Sequence, residues 1–162
     1  MIKYFKIESS LDTDLEDRFL DTLNKLDKDD SLILWITSSG GDLDIANNLI
    51  DIINNDDRII KVKFYWQVSS CAFRIMTHTP YEKRVINEDV WSILHLYNRE
   101  SGSRNRLKGD VKTVFLNKYL DKENRFLTHY YKTIGISQDI IDIIETGEDI
   151  YLTYDDIIKL KI

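Results

Sequence analysis

The chain has 162 residues, 43% of them apolar, with one Pro and six Gly, which fits one compact domain over 1–162 with a real core and excludes a linker-rich or disordered chain. Its formal charge of −6 argues against nucleic acid as the main partner, and the single cysteine, Cys71, excludes an internal disulfide framework and fits the reducing cytoplasm. No apolar run approaches the roughly 20 residues a membrane helix needs, and the opening MIKYFKIESS lacks the apolar stretch of a signal peptide.

Ile2 to Ile7 reads as a short strand. Ser10 or Asp12 then caps a helix through about Leu26, with Leu15, Phe19, Leu20, Leu23 and Leu26 at helical spacing. Leu32 to Ile36 (LILWI) is nearly continuous apolar sequence, as in a strand covered on both faces. TSSGGD follows, then a helix marked by Leu43, Ile45, Ala46, Leu49, Ile50 and Ile53. Ile59 to Trp66 is the next strand, running to a bend at Ser70 and a further helical stretch. The alternation predicts right-handed βαβ units and a largely parallel sheet.

Lys83 to Ile86 and Val90 to Leu94 are two more strand candidates, the second ending in His95. Arg99, Arg104, Arg106 and Lys108 form a basic run without interleaved aromatics, which reads as a solvated loop. A helical pattern runs from about Leu107 to Thr133, where Gly135 stops it. Its stripe includes Phe115, Phe126, Leu127 and Tyr130, too long for so small a sheet, so part of it is expected to meet another chain. Ser137 starts a helix through Glu145, and Tyr151-Leu152-Thr153 leads into a last helix, Tyr154 to Leu160.

Three features converge. Ser38-Ser39-Gly40-Gly41 follows a strand and precedes a helix, where adjacent glycines permit a sharp turn that presents backbone N–H groups. Ser70 ends the next strand at a helix start, where free N–H groups and the helix dipole favour a developing oxyanion. His95 follows a further strand, and strand ends in an open sheet share one edge. Ser70 is the candidate nucleophile, against the plainer reading that Ser69 or Ser70 is only a helix cap. His78 reads as a loop residue near the nucleophile helix, and His129 as exposed or at a subunit contact on the long helix. Three scattered histidines and one cysteine give no metal-site spacing, and no cofactor is called for.

On these motifs the chain resembles ClpP, the proteolytic subunit of the ATP-dependent Clp protease. ITSSGG stands for the family's Ser-Pro-Gly-Gly loop, WQVSSCA for its Gly-x-Ala-Ala-Ser-Met-Gly nucleophile turn, EKRVIN for its Lys-Arg strand and VWSILH for its His-ending strand. Gly40 through His95 lies on the family pattern without a gap. The resemblance implies a ClpP/crotonase-like α/β fold of stacked βαβ units, with a handle helix protruding from about 96–134. It also implies Ser70 and His95 as catalytic residues, with the backbone N–H groups of Gly41 and Cys71 as the oxyanion hole. Asp149, just before Ile150-Tyr151-Leu152-Thr153, takes the place of the family's aspartate, with Glu148 or Asp142 as alternatives. Cys71 as nucleophile needs an insertion before it and a deletion after it, so it is the lesser reading.

Several signature positions differ. Ser39 replaces the loop proline, Trp66 the first glycine of the nucleophile turn, and Ala72 a glycine after the nucleophile, while Leu96-Tyr97 follows the histidine in place of Gln-Pro. The resemblance further implies heptameric rings stacked into a tetradecamer, a Clp AAA+ unfoldase as partner, and peptides or unfolded polypeptides as substrates. The chain begins almost at its first strand, so axial gating loops are expected to be short or absent, as in a compact phage-encoded or accessory peptidase. Two other readings are a catalytically weak ClpP-like scaffold subunit and a crotonase-type acyl-CoA enzyme that needs Gly40-Gly41 but not Ser70.

Overall fold

The structure, a computed structural model, describes residues 1–96 and 111–162, with side chains of the long helix from 121 onward. The chain divides into two units, Met1–Ile93 with Tyr151–Leu160 and Ile162, and Leu94–Ile150 with Lys161. The basic run from Arg99 to Lys108, the expected helix start at Leu107 and the side chain of Phe115 lie outside the described residues.

In the first unit, β1 (Ile2–Ile7), β2 (Ser31–Ser38), β3 (Ile59–Val68) and β4 (Arg84–Ile86) form one sheet in that order, every pairing parallel. Parallel neighbours require crossovers, supplied by α1 (Thr13–Asn24), α2 (Leu43–Asn55) and α3 (Cys71–His78). Asp12, not Ser10, caps α1, its carboxylate accepting the Leu15 N–H at 2.9 Å. Asp42 caps α2 in the same way, accepting the Asp44 N–H at 2.8 Å.

Leu15 and Phe19 of α1, Ala46 and Leu49 of α2, and Phe73 and Met76 of α3 are buried with Ile7, Leu34, Ile36 and Phe64 of the strands. Each large side chain so buried contributes about 1.5–3 kcal/mol before the entropy cost of folding.

β2 differs from expectation. Its two faces are not equally covered: Leu32, Leu34 and Ile36 are buried, whereas Ile33, Trp35 and Thr37 are only half-buried. The helix α2 packs against both α1 and α3, and among the described residues side chains of the strands themselves meet on the second face. There the Lys63 ammonium lies 4.6 Å from the centre of the Trp35 ring, and Tyr65 meets that ring edge-on at 5.7 Å. The apolar run misleads because Ile33 and Trp35 are apolar without being fully buried.

β5 (Ser92–Leu94) and β6 (Ile150–Leu152) form a separate two-stranded sheet. In the first unit Tyr151 stacks on Trp91, the ring centres 6.3 Å apart. The short strand β6 is absent from the sequence reading, and α6 (Tyr154–Ile157) is shorter than expected. The Asp156 carboxylate accepts the Thr153 N–H at 2.9 Å and fixes where α6 starts.

The second unit holds α4 (Val111–Thr133) and α5 (Gln138–Glu145). Gly135 ends α4 at φ 93°, and the Ile136 N–H returns to the Tyr131 carbonyl at 3.0 Å. Leu127, Tyr130 and Tyr131 are buried, as are Ile141 and Ile144 of α5, whereas Phe126 is 54% exposed. Among the described residues, no helix is long and apolar enough to cross a membrane.

Candidate active site

The loop after β2 and the turn after β3 are built against each other. Leu11 donates its N–H to the Gly40 carbonyl at 2.8 Å, and Asp42 donates to the Leu11 carbonyl at 2.8 Å. In such a parallel bridge the N–H of the intervening Gly41 faces the opposite edge. Both glycines are required, for different reasons. A Cβ on Gly41 would collide with the Leu11 carbonyl oxygen, and one on Gly40 would stand 2.7 Å from the Ser70 Cβ. Both backbones also lie at positive φ, 110° for Gly40 and 147° for Gly41. The Ser38 hydroxyl completes the loop, donating to the Ser9 carbonyl at 2.7 Å and accepting the Gly40 N–H at 3.1 Å.

The pairing of β2 with β3 slips between Ile36 and Ser38, whose partners are Phe64 and Val68. The extra length on β3 is taken up around Trp66, which has φ 56°. Trp91 braces this irregularity, donating its N–H to the Trp66 carbonyl at 2.9 Å and accepting the Val68 N–H at 3.0 Å. The chain then turns at Ser69, whose N–H donates to the Ser38 carbonyl at 3.0 Å. The Ser69 hydroxyl is buried and accepts the Ile93 N–H at 3.0 Å, while the Ser70 N–H points back to the Ile93 carbonyl at 3.5 Å.

Ser70 occupies the N-cap position of α3 with φ 52° and ψ −125°, and its side chain makes no capping hydrogen bond. Ser137 at the start of α5 also lacks a cap bond, but among the described residues only Ser70 combines that with a positive φ. A hydroxyl free of backbone duty, at the positive end of an eight-residue helix, is suited to nucleophilic attack. Cys71 follows as the first residue of α3 and is buried. His78 is the last residue of α3 and not a loop residue, because the helix continues until Thr79 and Pro80 interrupt it. Its Nδ1 lies 2.8 Å from the Arg74 carbonyl, and burial pushes its pKa down.

In the second unit His95 follows β5, and its Nδ1 lies 3.8 Å from Asp149 Oδ1. The His95 carbonyl accepts the Tyr131 hydroxyl at 3.1 Å, which anchors the backbone but leaves the ring to other partners. Among the described residues no acid other than Asp149 comes within ion-pair distance of His95. Asp142 accepts the Gln138 amide at 2.6 Å, and Glu148 accepts the Thr146 hydroxyl at 3.4 Å. His129 is exposed on α4. Among the described residues no group of His, Cys, Asp and Glu side chains is arranged to hold a metal ion.

Sequence reasoning missed the Ser69 clamp, since a serine pair at a helix start carries no sign of which hydroxyl points inward. It also missed the conformation of Trp66, although an aromatic residue where the ClpP pattern has glycine was a visible signal.

The architecture defined by these elements is an α/β fold of stacked βαβ units with an appended helical unit. No protein-family model matches the chain, and no curated protein does. Among solved structures, an asparagine-to-aspartate mutant of ClpP1 from Listeria monocytogenes is similar, with a TM-score of 0.68 at 17% identity, covering 94% of this chain and 84% of that one. The fold is ClpP-like.

Proposed function

We propose that the chain, folded as one peptidase domain over 1–162, is a serine endopeptidase subunit of the Clp type, cleaving peptides and unfolded polypeptides by acyl transfer. Ser70 attacks the scissile carbonyl, and His95 takes its proton and returns it to the leaving amine. Asp149 orients the imidazole and stabilises its protonated form. The N–H groups of Gly41 and Cys71 hold the tetrahedral oxyanion.

The observation that carries this reading is the state of Ser70, a left-handed N-cap residue at φ 52° with no cap bond. A serine kept only as a cap is worth about 1 kcal/mol through that bond. Ser70 forgoes it and adopts a strained backbone as well, a combination suited to presenting a nucleophile. The ClpP-like fold supports the same reading.

The fold also supports self-association into stacked heptameric rings, and the 54% exposure of Phe126 on α4 offers them an apolar contact. A Clp AAA+ unfoldase is the partner this assembly calls for, and the single cysteine suits work in the cytoplasm.

A weak scaffold subunit is the second reading. It is favoured by the 3.8 Å between His95 and Asp149, longer than a hydrogen bond. A fluorophosphonate probe with intact-mass detection separates the two. The peptidase reading expects a single adduct mapped to Ser70, and hydrolysis of a short fluorogenic peptide that Ser70→Ala and His95→Ala abolish. No adduct and no turnover leave the scaffold, and an adduct on Cys71 overturns the choice of nucleophile. Light scattering at micromolar concentration tests assembly, and a monodisperse monomer rules out the rings.

A further inference from the structure

Beside Ser39, at the end of β2, lies a hollow of about 610 Å³ whose walls include Glu8, Tyr65, Trp66, Gln67 and Trp91. We propose that it is a subsite for a cationic side chain, the lysine or arginine of a bound peptide. The occupant is specific to the peptidase reading above and rests on it.

Three observations carry the assignment. The first is Trp66, which is 66% exposed although its φ of 56° is a conformation only glycine adopts freely. A large apolar ring kept in solvent at a strained position has no packing reason to be there, and strain of this kind collects at ligand-binding sites. The second is the state of Glu8. Its Oε1 accepts the Tyr65 hydroxyl at 2.8 Å, which aims the carboxylate, while Oε2 has no partner among the described residues. Lys6 lies 3.7 Å from Oε1, but its ammonium is on an exposed side chain that a ligand can displace. Burial and the Glu8 carboxylate push the Tyr65 hydroxyl up to about 12, so it remains a donor at neutral pH.

The third is the stacking of Trp91 on Tyr151, with 24° between the rings, which fixes a second aromatic wall. A carboxylate and two tryptophan rings on the walls of one hollow match a cation on an apolar stem. The rings attract the charge and cover the methylenes, and the carboxylate accepts the N–H donors. A neutral or acidic side chain gains neither of the last two interactions in full.

The test measures binding apart from hydrolysis. Full-length protein carrying Ser70→Ala is titrated by tryptophan fluorescence with capped peptides that differ only in arginine, lysine, citrulline or norleucine. Arginine and lysine peptides are expected to quench the signal and to bind roughly tenfold tighter than the citrulline and norleucine peptides. Glu8→Gln and, separately, Trp66→Gly are expected to erase that preference, with folding checked by circular dichroism. Equal affinity for all four peptides, or a preference that survives Glu8→Gln, overturns the subsite. A loss of assembly mass in Trp66→Gly also overturns it, because the hollow is then a contact between copies of this chain.

Failure of the subsite and failure of the peptidase reading are distinguishable. An active wild-type enzyme that cleaves basic and neutral peptides equally well loses only the subsite. A chain that selects basic peptides without cleaving any loses only the peptidase.

Discussion

Two bends on the same stretch of chain carry left-handed backbone on residues other than glycine, Trp66 at φ 56° and Ser70 at φ 52°. Each costs on the order of 1–3 kcal/mol, and the adjoining segment braces each through its backbone, at Trp91 for the first and Ile93 for the second. They differ in what the strain presents. At Ser70 a small side chain is presented without a capping bond, with Gly40 packed against its Cβ. At Trp66 a large ring is turned outward, 66% exposed. Glycine is the low-strain choice at both bends, so each side chain is there despite its backbone. The comparison separates strain spent on aligning one oxygen atom from strain spent on displaying a surface.

The severest break in this comparison is Gly40→Ala. The added Cβ meets the Ser70 Cβ at 2.7 Å and the Cys71 nitrogen at 3.1 Å, from a backbone at φ 110°. Overpacking and strain together are expected to cost about 3 kcal/mol, read as a lower denaturant midpoint. On the peptidase reading, displacing Ser70 by about 1 Å is enough for peptide turnover to fall by roughly a hundredfold or more. A stable, fully active Gly40→Ala protein contradicts the close packing of Gly40 on Ser70.

Ser69→Ala comes next. It removes the acceptor of the Ile93 N–H while leaving Ser70 untouched, at a cost of about 1–3 kcal/mol for the buried donor left unpaired. With the turn less firmly held, kcat is expected to drop about tenfold and KM to stay near the original value, since the loss falls on alignment. A rise in KM with kcat unchanged assigns Ser69 to substrate binding instead.

The smaller effect is at the other bend. Trp66→Gly relieves the left-handed strain and gives up little packing, so stability is expected to rise by about 1 kcal/mol, read as a higher denaturant midpoint, with turnover of neutral peptides preserved. Ser70→Gly relieves similar strain and, on the peptidase reading, is expected to abolish turnover. If Trp66→Gly is less stable than the parent, the ring is packed more favourably than its exposure implies, and the contrast between the two bends fails.

Much of this was legible in the sequence, because it depends on periodicity and on small residues at strand ends. The order β1-α1-β2-α2-β3-α3, the Gly40-Gly41 loop and the position of Ser70 at a helix start all follow from local pattern. What was not legible depends on partners distant in the chain. Alternating burial in β2 reflects which face the helices occupy, and LILWI carries no sign of that. The slip around Trp66 is fixed by Trp91, and the role of Ser69 by Ile93, neither of which is recoverable from spacing. β6 is three residues long and exists because β5 is there to pair with it.

The helix that begins at Ser70 ends at His78, and this sets the mildest expected effect. Burial holds His78 below its ordinary pKa, outweighing the bond to the Arg74 carbonyl, which favours the protonated ring. The unfolded chain therefore takes up more protons than the folded one as pH falls below about 6.5. Stability is full above that value and declines as the solution is acidified. Asp30, held well below the usual carboxylate range by its bond to Lys3, acts in a separate window, losing its contribution only below about pH 4. Between about pH 7.5 and 5.5 the melting temperature is thus expected to fall slightly, and His78→Gln to flatten that slope. On the peptidase reading, turnover is also expected to fall in acid, because acyl transfer needs a neutral general base. In His78→Gln the acid loss of turnover should persist while the acid loss of melting temperature disappears. If both persist, the buried imidazole at the end of α3 is not the acid-sensitive element of the fold.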